Sequence, residues 1–593
     1  MKRHQIATML AALGVVVGVM IGCRAKPDDA AGQAEELADP VRRENAIANL
    51  NRLYTSALAA VDGDRSVETQ PENSDGRRPL GPMGVANASV EALSTTYVNN
   101  SSDTANGQRI LNLLLEMQDV RAMPAFIAAL DWRTEVTENH AITAAQAVER
   151  MELNDAQQAQ AITALSEALD RVQGNRGVDN RMRIHFIRAL GSLNNHAATP
   201  ILTKVATRIH EDQSFLINRM AGEEVGRLRD PAAVPDMIKA LFLFSAERPD
   251  MRMNDVGAQS LTQIGRPALD PLLELLAGDN EQANRIAENY IAAIRRRDED
   301  AANRMDPRGV VIGEACFSLG QLGFREAMDP MYAQVQPMLD MTAAALDEDM
   351  DANRETIGRA LSCVTSLVQI NREESDTPRL REALIGVYER MPEGFPPEAP
   401  GASRAQLLAA MQHTFDPGLL DFLHRVAADR DQLPDFRVVG LKSYAFLANR
   451  GDLPRIRAVI AAEPEGGVVR NAFEENNPAL TTAEECNDSL SCYIGKLGDS
   501  DPMVVRKACY MIARYGHGNA EAITALIGIL DHNNIPVRGD AFYALDGIAT
   551  SGSPEAVAEI DRIREAEEGR SSWNQVREVA MAVRARLAAR TGN

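Results

Sequence analysis

Six cysteines, nine histidines and 84 carboxylates are the side chains of this 593-residue chain that could do chemistry. Cys23 closes an apolar run from Ile6 to Ile21 that follows Lys2, Arg3 and His4. A positive start, an apolar run and a small residue before the cysteine make an export signal. Cys486 and Cys492 flank Asn487-Asp488-Ser489-Leu490-Ser491, a spacing suited to a local disulfide and not to a Cys-x-x-Cys redox pair. Cys316, Cys363 and Cys509 lie on apolar helical faces and read as buried thiols. Five cysteines after Cys23 is an odd number, so at least one stays free or pairs elsewhere.

The histidines form no His-Glu-x-x-His or comparable metal signature, and they read as surface or packing residues. No Gly-x-Ser-x-Gly elbow and no phosphate loop is present. Asp347-Glu348-Asp349-Met350-Asp351 lacks the glycine and closing glutamate of a calcium loop. Gly313 through Gly323 lies in a helical pattern, where its glycines serve close packing or turns. No catalytic residue, metal or cofactor is therefore assigned.

Met20-Ile21-Gly22-Cys23 resembles the lipobox of bacterial lipoproteins, with Met20 where leucine is usual. The resemblance implies cleavage between Gly22 and Cys23, lipidation of Cys23, and export of everything after it. Arg24, rather than Asp, favours the outer over the inner membrane under the sorting rule that comes with it. Two alternatives stay open: an uncleaved span, and cleavage with Cys23 unmodified. The run is short for a span, which needs roughly 20 residues. Several acyl chains would anchor the mature chain firmly.

The formal charge of −22 opposes binding to nucleic-acid backbones and to anionic lipid, and favours basic or neutral protein partners. Hydrophobic residues make up 45% of the chain and aromatics 4%, so the core is built from aliphatic side chains. That composition suits stacked helices.

The elements that must carry these residues repeat. Leu190-Gly191-Ser192-Leu193 is followed by Ala197 and Pro200. Val225-Gly226-Arg227-Leu228 is followed by Ala232 and Pro235, and Leu261-Thr262-Gln263-Ile264 by Ala268 and Pro271. Leu319-Gly320-Gln321-Leu322 then precedes Ala327 and Pro330. One amphipathic helix ends at each apolar segment, and a proline opens the next helix where its missing N–H is harmless. Such pairs bury their apolar faces only by stacking.

Asp501-Pro502-Met503-Val504-Val505-Arg506 resembles the helix start of the HEAT-repeat family. Ile535-Pro536-Val537-Arg538 and Asp39-Pro40-Val41-Arg42 are similar. The resemblance implies an all-α, irregular HEAT-like solenoid of the armadillo type, with about ten to thirteen helix pairs. It also implies a structural ladder in which Asp39 and Asp501 cap helices and Arg42, Arg506 and Arg538 reach neighbouring loops or carboxylates.

The expected organisation is a signal peptide (1–22), a tether (23–38), an N-terminal helical segment (39–61) and a flexible insertion (62–108). A solenoid (109–392) and a Pro/Gly-rich break (393–403) follow. Further repeats (404–462), a loop insertion with the cysteine pair (463–499) and C-terminal repeats (500–593) complete the chain. The expected function is a lipid-anchored scaffold or adaptor for envelope proteins, its concave face lined by the second helix of each pair. A self-assembling envelope spacer is the alternative. Some bilin lyases contain similar repeats, but nothing here singles out a bilin site.

Overall fold

A short turn recurs between the helices of each pair and sets the architecture. It begins with one residue in left-handed conformation, such as Gln118, Asn194, Arg229 or Phe415. An Asp or Asn follows, whose side chain accepts the N–H two residues on. Asp119 does this to Arg121, Asn195 to Ala197, Asp230 to Ala232 and Asp416 to Gly418. A 3-10 turn and a proline-opened helix complete the link, as the spacing of the prolines predicts.

The computed structural model describes residues 25–210, 213–245, 247–278, 280–370, 374–396, 402–567 and 570–591. Among them are 31 α-helices and no strand, only two isolated β-bridges. The fold is an all-α, irregular HEAT-like α-solenoid. No described helix is long and apolar enough to cross a membrane. Gly22, Cys23 and the signal peptide lie outside the described residues.

The chain divides into two compact units, Met1–Ile201 with Glu211–Ile217, and Leu202–His210 with Asn218–Asn593. In the first unit the principal helices are α1 (Ala30–Glu36), α2 (Arg43–Ala60), α3 (Pro82–Asn99), α4 (Thr104–Met117), α5 (Glu138–Arg150), α6 (Asp155–Arg171) and α7 (Gly177–Ser192). The tether is thus partly helical. The flexible insertion expected over 62–108 is corrected as well: α3 and the start of α4 fill much of it. Its buried face includes Gly84, Ala86, Ser89 and Ser94, and a Cβ on Gly84 would lie 2.4 Å from Glu68 O. Small polar residues that read as loop here allow close backbone approach.

In the second unit the first helices of successive pairs are α8 (Asn254–Ile264), α9 (Pro307–Leu322), α10 (Arg354–Leu367), α11 (Ala402–Gln412), α12 (Pro434–Leu447), α13 (Val468–Cys486), α14 (Pro502–Tyr515), α15 (Ile535–Ile548) and α16 (Ser571–Arg590). The loop insertion expected over 463–499 is corrected: α13 and Leu490–Lys496 are helical, and Pro478 sits inside α13. Cys486 and Cys492 form a disulfide there. Cys316 and Cys363, read as thiols, are also joined, linking α9 to α10. Only the buried Cys509 stays free among the described cysteines. Of the Pro/Gly-rich break, residues 397–401 lie outside the described residues.

The second unit closes on itself. α16 packs against α15 and also against α8 and α9. Arg586 Nη1 donates to Gln321 O (3.2 Å), and Arg584 Nη1 to Gln263 Oε1 (3.4 Å). Arg577 pairs with Glu223. The apolar face of α16, with Trp573, Val576, Val583 and Leu587, belongs to the C-terminal core instead.

Candidate functional site

The arginine ladder is structural. Buried side chains in the first two turns of the first helices reach back to the carbonyls that end the preceding element, groups a helix terminus leaves without partners. Arg43 Nε donates to Leu37 O (3.0 Å), Arg183 Nη2 to Val172 O (2.9 Å), Arg437 Nε to Ala427 O (3.0 Å) and Arg538 Nε to Leu530 O (2.9 Å). Arg538 also pairs with Glu567 (2.8 Å). Near the N-terminus the inward residue is Arg43. Arg42 lies at the surface, 3.5 Å from Glu36 and 3.3 Å from Asp39, whose carboxylate accepts Val41 N (2.9 Å). Asp501 caps α14 through Met503 N (2.8 Å). Arg506 crosses to Asp540 on the next repeat (2.6 Å) and stacks over Phe446. The sequence reading missed Arg43, Arg183 and Arg437. Pro434-Asp435-Phe436-Arg437 is the helix start that could have disclosed the last.

Two cavities among the described residues stand out, both lined by the second unit. The larger is an open trough of about 1140 Å³ along the N-terminal halves of α9 and α10. Its shape follows from glycine spacing. At Gly320 the helices touch, since a Cβ there would lie 2.8 Å from Ser366 O. The Cys316–Cys363 disulfide clamps them one turn earlier, with Cα atoms 4.9 Å apart. Further towards the N-termini they part: a Cβ on Gly313 would meet nothing nearer than Ser362 Oγ at 3.7 Å, and one on Gly358 would meet nothing within 4 Å. Gly313 therefore opens the trough instead of serving close packing, whereas Gly323, at φ +77°, makes the turn.

The trough walls are charged and aromatic. Arg252 Nη2 lies 2.6 Å from the buried Glu314, and its guanidinium sits 4.8 Å over the Tyr290 ring. Burial pushes the Glu314 carboxyl up in spite of Arg252. Phe317, Phe395 and Arg354 complete the walls. Glu314, Phe317 and Arg354 stand on the first helices α9 and α10, so this trough is not lined by second helices in the way expected of the concave side. Packing first helix on first helix leaves the second helices outside.

The smaller cavity, about 760 Å³, forms where the C-terminal ends of α10, α11, α14, α15 and α16 converge. His413 lies in its wall, partly exposed to the cavity. Its ring centroid is 4.2 Å from that of Tyr543 and 5.9 Å from that of Tyr510. Burial, followed by the Arg506 charge, lowers its pKa from 6.5 to about 4. The folded state therefore favours neutral imidazole. Its contribution to stability is complete above pH 6.5 and is lost as pH falls from 6.5 towards 4. With allowance for its partial exposure, roughly 1–2 kcal/mol is expected over that window. Denaturant melts of wild type and His413→Gln at pH 7 and pH 4.5 would measure it. The variant should lose less stability between the two, and equal losses would exclude the assignment.

No group of three or more His, Cys, Asp or Glu among the described residues could hold a metal ion. No protein-family model matches the chain, and no curated protein matches it by sequence. Among solved structures, the chain is similar to Kap121p bound to Ste12p at 12% identity, with 93% of this chain and 53% of that one covered and a TM-score of 0.36. Importin beta in an ammonium sulfate condition gives 10% identity, 94% and 86% coverage, and a TM-score of 0.27. The chain spans about half the length of the Kap121p structure bound to Ste12p.

Proposed function

We propose that this chain is an exported scaffold, anchored through acylated Cys23, that binds partner proteins of the bacterial cell envelope, on the outer rather than the inner membrane. The trough between α9 and α10 carries this reading. It is an open, polar and aromatic surface on a disulfide-clamped frame, and a binding surface of that kind needs no reacting group. Export is supported by the charged start, the apolar run and the small residue before Cys23. Two disulfides also fit an oxidising compartment. The closure of α16 onto α8 and α9 favours a second reading, a self-contained spacer, because it covers part of the inner surface with the chain's own helix.

Two variants separate the readings. Cys23→Ala is expected to fold normally and to leave the membrane fraction. Its persistence in that fraction after signal cleavage would exclude lipid anchoring. Gly358→Trp places an indole on the trough wall, from a position whose added Cβ meets nothing within 4 Å. Cross-linking in intact cells should yield an envelope partner with wild type and lose it with Gly358→Trp. A partner profile that Gly358→Trp leaves unchanged would exclude the trough, and recovery of the chain alone would establish the spacer.

A further inference from the structure

The smaller cavity has a composition at odds with the chain around it. The protein carries a formal charge of −22, yet Arg381, Arg514, Arg586 and Arg590 all line this one space. The carboxylates in its lining are Glu374, Asp416 and Asp546. Two of these are already occupied. Arg381 forks onto Asp416 through Nε (2.6 Å) and Nη2 (3.0 Å). Asp546 takes both Arg586 (2.9 Å) and Arg590 (3.0 Å).

Apart from the exposed Glu374, what is left over is donors. Among the described residues Arg514 has no carboxylate partner; its Nη1 donates weakly to Leu447 O (3.3 Å), and its guanidinium stacks 5.0 Å from the Tyr515 ring centroid. Arg381 Nη1 carries no hydrogen bond in the described structure. Nor does the hydroxyl of Tyr543, although its ring is packed against His413. These groups are held in place. The Arg381 guanidinium lies so close over Gly418 that a Cβ there would sit 2.0 Å from Cζ. Donors with N–H and O–H groups to spare, lining one partly open pocket, fit a ligand that brings only acceptors.

We propose that this cavity binds a small oxyanion, a phosphate or carboxylate group, held by Arg514, Arg381 Nη1 and the Tyr543 hydroxyl. The same chemistry serves a free metabolite or the anionic end of a larger molecule. The site is separate from the trough, and neither depends on the other.

Isothermal titration of the purified protein with inorganic phosphate and, separately, with succinate tests it. At least one probe is expected to bind saturably at one site, with Kd of about 1 mM or tighter. Arg514→Gln should weaken that binding about tenfold or more, and Tyr543→Phe by about threefold. Arg455→Gln, whose exposed guanidinium pairs with Asp421 elsewhere, should leave it unchanged. Preference for phosphate or for succinate identifies the group. Competition by soluble phosphate monoesters against phospholipid vesicles then separates a free ligand from a lipid headgroup. Absence of saturable binding by both probes would overturn the proposal. So would unchanged affinity in Arg514→Gln or, should that variant melt early, in Tyr543→Phe.

Discussion

Lys507→Met is expected to lower the unfolding free energy by about 3 kcal/mol or more, a large fraction of a typical domain's stability. Lys507 is fully buried. Its Nζ donates to Ala445 O (3.0 Å), Phe446 O (2.8 Å) and Ala448 O, the carbonyls that close α12. No carboxylate lies within ion-pair distance of it among the described residues. Burial holds its pKa well below the ordinary value of 10.5, and the carbonyl dipoles at the helix end offset only part of that penalty. Methionine keeps the volume and removes the desolvated charge, which helps. It also leaves three buried acceptors unpaired, at about 1–3 kcal/mol each, and that term is the larger. Equilibrium denaturation gives the free energy, and hydrogen exchange over 445–450 locates the change. A loss below about 1 kcal/mol would show that water replaces the ammonium.

The sign of the pH response gives an independent check. A lysine whose folded pKa is depressed costs most while both states are protonated. Stability should therefore rise as pH climbs from the folded pKa towards 10.5. Lys507→Met should abolish that rise.

Arg586→Met is the second large effect, expected at about 2–3 kcal/mol, because it removes a buried ion pair and two further hydrogen bonds while Arg590 still holds Asp546. The side chain is 2% exposed. It holds Asp546 on α15, the Gln321 carbonyl at the end of α9, and Gln369 Oε1 beyond α10 (3.4 Å). The ring is thus locked at three places by one guanidinium. Gly323 makes room for it: a Cβ there would lie 3.1 Å from Arg586 Cδ, at a positive φ that side chains resist. The loss should be local. Hydrogen exchange should quicken in α16 and along α8, while α12 and its neighbours stay protected. Polar contacts help hold α16 here: Arg584 reaches Gln263 on α8, and Arg577 pairs with Glu223 on the preceding helix, Phe215–Leu228. Wild-type exchange in α8 and α16 would mean that packing alone closes the ring.

The helix pairs and their turns were legible in the sequence because both are local. The proline spacing reported the turn of one repeat, and Asp501 and Arg538 stood where a cap and a ladder residue belong. Where composition misled, packing overrode it. The small residues of α3 and the Asn-Pro stretch of α13 look like loops until a neighbouring helix presses against them. The ladder was read only where Val-Arg marked it, so Arg43 and Arg437 emerged from the structure.

Two features needed the tertiary structure. Cys316 and Cys363 are 47 residues apart on faces that each read as ordinary core, and only the stacking of α9 on α10 brings the sulfurs together. Arg586 meets Gln321 across 265 residues. The repeat period determined that each pair would lie against the next. It could not determine whether the ends meet, because curvature is a small rotation per repeat summed over many. Ring closure and the arginine-lined cavity follow from that sum, whereas the trough follows from the glycine spacing of α9 and α10.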